Sequence, residues 1–415
     1  MKQTSVNILK YILKRLAILT IRRFEPEVIA ITGSVGKTSA KEAIFAVLKD
    51  HFRIRAASES FNNELGVPLA ILGNWKAIGR PLIFFWLKVV LISFLRLILL
   101  PKRFYPKMLI LEYGAQKPGD IKYLLEIGSP KIGVITAIGK IPVHVEYYED
   151  IAAVAKEKTR LIENLTTSNF AILNFDDELA AAMAEKTRAK TMTFGFGEGA
   201  NMRITNFENR SEDGRPYGIS FKLEYEGSFV PVVLVGVFGE AHAYAGAIAA
   251  LIGIIYGLNL VESAEYFSAH YRPAKRRMNL TAGVKETYII DDSYNASPLS
   301  MEKALKVLKD LKGGRKIAVL GDMLELGRYS IEAHEGIGKI VAETADILVA
   351  IGPRGKFISE GAKNKGMHGS KILNFDTAEE AAKTVEQIIR KGDVILVKAS
   401  RAMELDKVVE EIKSV

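Results

Sequence analysis

Gly33-Ser34-Val35-Gly36-Lys37-Thr38-Ser39 joins the residue types that hold a polyphosphate. Glycines let the backbone close on an anion, a lysine neutralises it, and hydroxyls can ligate a divalent cation. The apolar run Val28-Ile29-Ala30-Ile31 comes before it and predicts a buried strand. Ala40, Ile44, Ala46, Val47 and Leu48 follow and predict a helix over 37–49. Strand, glycine turn and helix start aim unpaired N–H groups and the positive end of a helix dipole at the loop. In that setting Lys37 would face the β/γ-phosphates and the Thr38 hydroxyl would ligate Mg²⁺. Only Ser34 and Val35 separate Gly33 from Gly36, where the common pattern has four residues. The shorter loop points away from GTPases and kinases.

A chain of 415 residues can bury two or three cores, and its 48% hydrophobic and 25% charged residues are those of a globular protein. The absence of cysteine excludes disulfides, thiolate zinc sites and a cysteine nucleophile. The net charge of +9 is uneven. Residues 1–27 hold six Lys/Arg and two Glu, and residues 75–107 hold seven Lys/Arg and no acid, so the rest of the chain is close to neutral. These basic residues flank and interrupt apolar segments, which points to anionic lipid rather than nucleic acid.

The elements that must position the loop alternate along the chain. Residues 5–23 predict a basic amphipathic helix, able to lie on a membrane surface or to pack on the next domain. They lack the apolar core and cleavage site of a signal peptide. Asn62-Asn63 open a polar turn before Gly66 and Pro68. Residues 81–100 are nearly long enough to span a bilayer, but Lys88 and Arg96 favour an interfacial helix, the alternatives being a buried hairpin or a dimer interface. Predicted strands at 108–114, 131–137 and 170–173 end near Glu112, before a loop bearing His144, and at Asn174. A helix over 150–165 carries Lys156 and Lys158, residues 202–235 read as a β-meander, and 240–256 as an Ala-rich helix. The polar, basic stretch 267–281 marks a boundary. Strands at 287–291, 316–320, 347–351 and 394–397 then alternate with helices.

The fold class expected is α/β. A P-loop ATPase central domain with a mostly parallel sheet occupies 28–270 and carries an apolar insertion at 75–107. An N-terminal helix, 1–27, precedes it, and a Rossmann-like doubly wound C-terminal domain, 271–415, follows.

Eight stretches, TGSVGKTS, NNELGVP, LEYGAQKPGD, VAKEKTRLI, LNFDD, DDSYNASP, GDMLELG and VKASR, resemble the Mur ligases of peptidoglycan synthesis. The resemblance runs from about residue 28 to the C-terminus. DDSYNASP and GDMLELG are most similar to the branch that adds D-alanyl-D-alanine to UDP-N-acetylmuramoyl-tripeptide. The short phosphate loop is shared with the wider superfamily, folylpolyglutamate synthase included. The resemblance implies ATP-dependent amide ligation through an acyl phosphate, with a muramoyl-peptide acid and D-alanyl-D-alanine as substrates. The alternative is a related ligase for a different acid, soluble or lipid-linked. Both steps gather negative charge, so cations are the tools expected.

Carried over residue by residue, the resemblance makes Lys37, Glu112, His144 and Lys158 catalytic. Thr38 and Glu112 would ligate one Mg²⁺ and His144 a second, and Lys158, rather than Lys156, would bridge the two ions as a carbamate. Residues Gly33, Ser34, Val35, Gly36, Lys37, Thr38 and Ser39 would cradle ATP. Asn174 would lie near the adenine or ribose, Arg277 would reach the phosphates, and Asp292 would contact the nucleotide. Asn295, Lys398, Ser400 and Arg401 would line the site of the incoming amine, and Asn62 and Asn63 would face the nucleotide-sugar peptide.

The chain departs from the pattern in four places. Arg276 stands where Gly is usual. Gly246 replaces an Asn that serves the adenine, with one extra residue between Gly239 and His242. The N-terminal UDP-sugar domain is expected to be missing, because 27 residues precede the first strand, and 75–107 is an insertion. The location expected is cytoplasmic, peripheral on the inner face of the membrane, with no nucleic-acid partner.

Overall fold

The computed structural model describes residues 3–57, 59, 61–76, 83–139 and 147–414. Helix α1 (Gln3–Phe24) leads into β1 (Glu27–Thr32), and α2 (Lys37–Leu48) starts directly after the phosphate loop. β2 (Ile54–Ala56), α3 (Gly66–Leu72) and α4 (Ile83–Leu99) precede β3 (Met108–Glu112). Then come α5 (Asp120–Ile127), β4 (Ile132–Ile135), α6 (Ile151–Glu163), β5 (Phe170–Asn174), the short α7 (Glu178–Ala181) and β6 (Lys190–Gly195). β7 (Met202–Glu212), β8 (Arg215–Tyr225) and β9 (Ser228–Val235) make the meander, followed by α8 (Glu240–Ile255) and α9 (Leu260–His270). The C-terminal part contains β10 (Asn279–Gly283), β11 (Thr287–Asp291), α10 (Pro298–Asp310), β12 (Lys316–Gly321), α11 (Ser330–Ala342) and β13 (Ile347–Ile351). It ends with α12 (Gly355–Asn364), β14 (Ile372–Phe375), α13 (Ala378–Ile388), β15 (Val394–Lys398) and α14 (Asp406–Ile412).

The first nine strands form one sheet in the order β2-β3-β1-β4-β5-β6-β7-β8-β9, parallel up to β7 and antiparallel through the meander. The second sheet runs β10-β11-β15-β12-β13-β14, parallel except for β10. Both are the mostly parallel sheets of an α/β protein. β1 shows how they are covered: alternation sends Ile29 and Ile31 to the face under α2 and α8, and Val28 and Ala30 to the opposite face. α8 can approach closely because it is built of small residues. A Cβ on Gly253 would stand 2.4 Å from the Ser263 hydroxyl of α9.

The structure chooses between the two readings of α1. The apolar side of α1 does not face outward. Leu9, Leu13 and Leu16 pack with Leu69 and Leu72 of α3 and Val89 of α4, while Ala17 and Phe24 join the sheet core. Lys10 pairs with Glu64, and Lys14 pairs with Glu126 and lies over the Tyr123 ring. The helix therefore packs on the neighbouring domain, and it packs there together with α4. Elements run into both ends of the boundary stretch 267–281. Phe267 is buried in the last turn of α9 and Asn279 opens β10, so only 271–278 connects the two sheets.

Candidate active site

The phosphate loop is shaped by a neighbour that the sequence does not announce. Gly33 has φ +145°, and a Cβ there would sit 1.9 Å from Thr136 Oγ1, so the position admits glycine alone. That hydroxyl, just beyond β4, donates to the carbonyl oxygens of Thr32 and Val35 (3.1 and 2.7 Å) and holds the loop against the sheet. Gly36, at φ +89°, turns the chain into α2. Lys37 Nζ donates to the carbonyls of Gly33 and Ser34 (2.6 and 3.3 Å) inside the loop.

Thr38 and Glu112 meet where β1 and β3 end side by side. The Thr38 hydroxyl donates to Glu112 Oε2 at 3.2 Å, and Arg277 Nη2 donates to Thr38 Oγ1 at 3.1 Å. Glu112 is 2% exposed, and its Oε1 has no hydrogen-bond partner, only the Lys41 ammonium at 3.2 Å. Lys41 is itself buried and donates to the carbonyls of Ala57 and Glu59 (2.7 and 3.2 Å), which ties Glu112 to the segment before Asn62. Lys158 is buried in the same crevice, whereas Lys156 on the same helix is exposed. Burial pulls Lys158 down to about 7, and the charge of Lys37 pushes the same way. Burial likewise pulls Lys37 down to about 8, opposed by Glu112 and reinforced by Arg277.

The second sheet supplies the opposite wall. Asp292 and Lys398, at the adjacent ends of β11 and β15, form an ion pair at 2.6 Å, and Lys398 also donates to the Asn295 carbonyl at 2.8 Å. Burial raises the Asp292 carboxyl, with Lys398 opposing. The guanidinium of Arg277 lies 4.3 Å from the Tyr294 ring centroid and that of Arg401 lies 5.5 Å from it. Ser400 Oγ accepts the Leu324 N–H at 2.9 Å. Arg276, where glycine was expected, adopts φ +63° and pairs with Asp406 at 2.7 Å.

One crevice of about 860 Å³ brings together residues 33–39, Asn62, Asn63, Glu112, Lys158, Asn174, Arg277, Asp292, Asn295, Lys398, Ser400 and Arg401. His144 lies outside the described residues. Asn63 also has a local task, since its side-chain oxygen accepts the N–H groups of Leu65 and Gly66 (3.2 and 2.9 Å) at the start of α3. Asn174 Oδ1 accepts the Asp176 N–H at 2.9 Å. Beyond it, Phe194, Ala245, Ile248 and Val307 make an apolar slot of the kind a nucleobase enters. Gly246 has no room for a side chain, because a Cβ would meet the Phe267 ring at 2.7 Å. His242 is buried against the Tyr271 hydroxyl (2.7 Å), and burial drives its imidazole down to about 4, so it is neutral at pH 7.

Sequence reasoning missed Lys41, Thr136 and Tyr294. Lys41 carries a signal, being one helical turn after Lys37 on the same face of α2. Tyr294 stands inside DDSYNASP, and Thr136 has no signal in the sequence.

A phosphate loop and a buried carboxylate on one sheet, facing a basic wall built on a second, define a two-sheet nucleotide-using α/β enzyme. Residues 93–251 match the Mur ligase middle domain and residues 276–401 the Mur ligase, glutamate ligase domain. A UDP-N-acetylmuramoyl-tripeptide–D-alanyl-D-alanine ligase of Mycobacterium leprae is 31% identical over 402 residues, covering 91% of this chain and 72% of its own. The crystal structure of MurF from Acinetobacter baumannii superposes with a TM-score of 0.79 at 25% identity, covering 96% of this chain and 79% of that one. MurF from Thermotoga maritima in complex with ADP gives 0.76 at 26% identity, covering 96% and 82%. The chain belongs to the Mur ligase family. It is an ATP-dependent, ADP-forming ligase.

Proposed function

We propose that this ligase joins the amino group of D-alanyl-D-alanine to the terminal carboxylate of a muramoyl-tripeptide carried on UDP, in peptidoglycan precursor synthesis. The observation that carries the reading is the Arg277–Thr38 hydrogen bond, which closes the phosphate loop and the basic wall around one crevice. The names of the Mycobacterium leprae relative and the two MurF structures support the choice of substrates.

In the first step an acid oxygen attacks the γ-phosphorus of ATP, the bond to the β-phosphate oxygen breaks, and ADP leaves. In the second, the neutral amine attacks the acyl carbon, the tetrahedral adduct expels phosphate, and the nitrogen loses its proton to solvent. Lys37 and Arg277 meet the charge that collects on the transferred phosphoryl group. Lys398, with two protons engaged by Asp292 and the Asn295 carbonyl, keeps a third for the carboxylate of the incoming dipeptide, and Arg401 and Ser400 stand beside it. Asn62 and Asn63 face the acid substrate, and Asn174 borders the nucleoside slot.

The residues fit Mg²⁺. Oε1 of buried Glu112, which accepts no hydrogen bond and has only the Lys41 ammonium beside it, and the Thr38 hydroxyl are hard oxygen donors, and the ion would supply Lewis-acid stabilisation of phosphate charge. We assign Lys158 as the residue carried as a carbamate. Its lowered pKa leaves a nucleophilic amine for CO₂, and the product anion would offset the neighbouring Lys37 charge. His144 completes the proposed ligand set for a second ion. We place the enzyme on the cytoplasmic side, held peripherally at the membrane; among the described residues no helix is long and apolar enough to cross one.

The test is ADP release and product mass with UDP-N-acetylmuramoyl-tripeptide and D-alanyl-D-alanine, against other acid and amine pairs. Turnover that needs both and gives the pentapeptide supports the reading. Turnover only with a folate or another acid overturns it.

A further inference from the structure

Helix α4 is amphipathic in the reverse sense. Its inward side, Val89 and Ser93, is buried against α1 and α3. Its outward side is almost wholly apolar: Ile83, Phe84, Leu87, Leu91, Phe94, Leu95, Ile98 and Leu99 are each 43–74% exposed. They recur every three or four residues and so form one continuous face. Monomeric soluble proteins rarely leave so long an apolar stripe uncovered.

Charge chooses the occupant. α1 and α4 contain seven Lys/Arg and no acidic residue. Lys88 is exposed within the outward side, and Arg103 stands beyond its end over the ring of exposed Phe104. Arg96, the other cation of α4, turns back to donate to the Leu72 carbonyl (3.3 Å), so Lys88 is the cation set among the exposed apolar side chains of the helix. Arg23, at the end of α1, donates to the carbonyls of Ile98 and Leu100 (3.0 and 3.5 Å), so the basic end of α1 lies beside the end of the stripe. A 17-residue helix is ~25 Å long, short of the ~30 Å apolar thickness of a bilayer, so it suits the plane of the interface.

We propose that the outward face of α4 is a docking surface for an anionic lipid bilayer, with its apolar side chains among the acyl chains and Lys88 and Arg103 at the headgroups. This rests on the peripheral placement proposed above and adds the surface that makes it. The same surface is braced to the acid-substrate side of the crevice. α4 packs on α1, and Lys10 of α1 pairs with Glu64, the residue after Asn63.

The test is cosedimentation of the full chain with vesicles of phosphatidylglycerol and phosphatidylcholine, or of phosphatidylcholine alone. Three proteins are compared: wild type, Leu87→Glu/Leu91→Glu and Lys88→Glu/Arg103→Glu. Wild type is expected to bind the anionic vesicles and to lose affinity with salt. Each variant should bind at least tenfold more weakly, with ADP release on soluble substrates unchanged. The leucine pair is solvent-exposed, so the variant folds, and the charge pair repeats the test without touching the apolar stripe. Wild type bound and both variants bound equally well would overturn this surface while leaving the peripheral placement intact. No binding by wild type would overturn both. A wild-type dimer that the leucine variant dissolves, with no vesicle binding, would assign the face to a second copy of the chain and refute the proposal. None of these readouts depends on which acid the ligase uses.

Discussion

Arg277→Ala removes a hydrogen bond between the basic wall and the Thr38 hydroxyl, and its consequences can be sized. The contact is charge-assisted at 3.1 Å, and such bonds contribute about 1.5–3 kcal/mol. The same guanidinium is stacked on Tyr294 at 4.3 Å, an arrangement that contributes about 0.5–2 kcal/mol as the site desolvates. The two depend on one another, so they do not simply add. A loss of about 3 kcal/mol of transition-state stabilisation corresponds to a fall in kcat of roughly 10²-fold. Arg277→Lys keeps the charge but loses the planar fork and the stack, so it should recover only about tenfold of that loss. The assay is coupled ADP release at saturating substrates, with circular dichroism as the check on folding. An Arg277→Ala protein that is folded and within threefold of wild-type kcat would refute the reasoning.

Lys158→Ala should lower kcat at least ~10²-fold and regain part of it with short carboxylates, which stand in for a carbamate. Plain lysine by intact mass in bicarbonate, with the alanine variant still at full rate, would contradict that. In CO₂-depleted, ligand-free protein the native pKa of Lys158, about 7, lies below the 10.5 of a free lysine. The unfolded chain therefore binds more protons between those values, and stability rises with pH there. Lys158→Met should stabilise the protein most below pH 7, its advantage fading towards pH 10. Urea melts showing a flat or widening gap would be the wrong sign. Gly33→Ala sets a methyl 1.9 Å from the Thr136 hydroxyl at φ +145° and should abolish nucleotide binding by calorimetry. Wild-type affinity in that variant would show that the loop is not held as described.

The loop and its flanks were legible because local physics decides them. The run ending at Ile31 is fully buried in β1, the glycines have the positive φ their spacing suggests, and β11, β12, β13 and β15 lie where the apolar runs do. The direction of α1 was not legible. A basic amphipathic helix reads alike whether its apolar side meets lipid or protein, and only α3 and α4, distant in sequence, settle that. Composition did not show that the rings of Phe267 and Tyr271 are buried within the boundary stretch 267–281. Within the site, the family resemblance singled out Lys158 over Lys156, and of the two Lys158 is the buried one. The Asp292–Lys398 pair joins residues 106 apart, and no spacing rule reaches that far.

The central claim is an acid activated by phosphoryl transfer from ATP and then taken by an amine. The most direct measurement follows an isotope. UDP-N-acetylmuramoyl-tripeptide labelled with ¹⁸O in its terminal carboxylate is turned over with ATP and D-alanyl-D-alanine, and the inorganic phosphate is examined by mass spectrometry. An acyl phosphate route moves one carboxylate oxygen into each phosphate released, in step with ADP and pentapeptide, and Lys37→Ala removes all three signals. Pentapeptide formed with unlabelled phosphate, or an undiminished signal from a folded Lys37→Ala protein, would contradict the account.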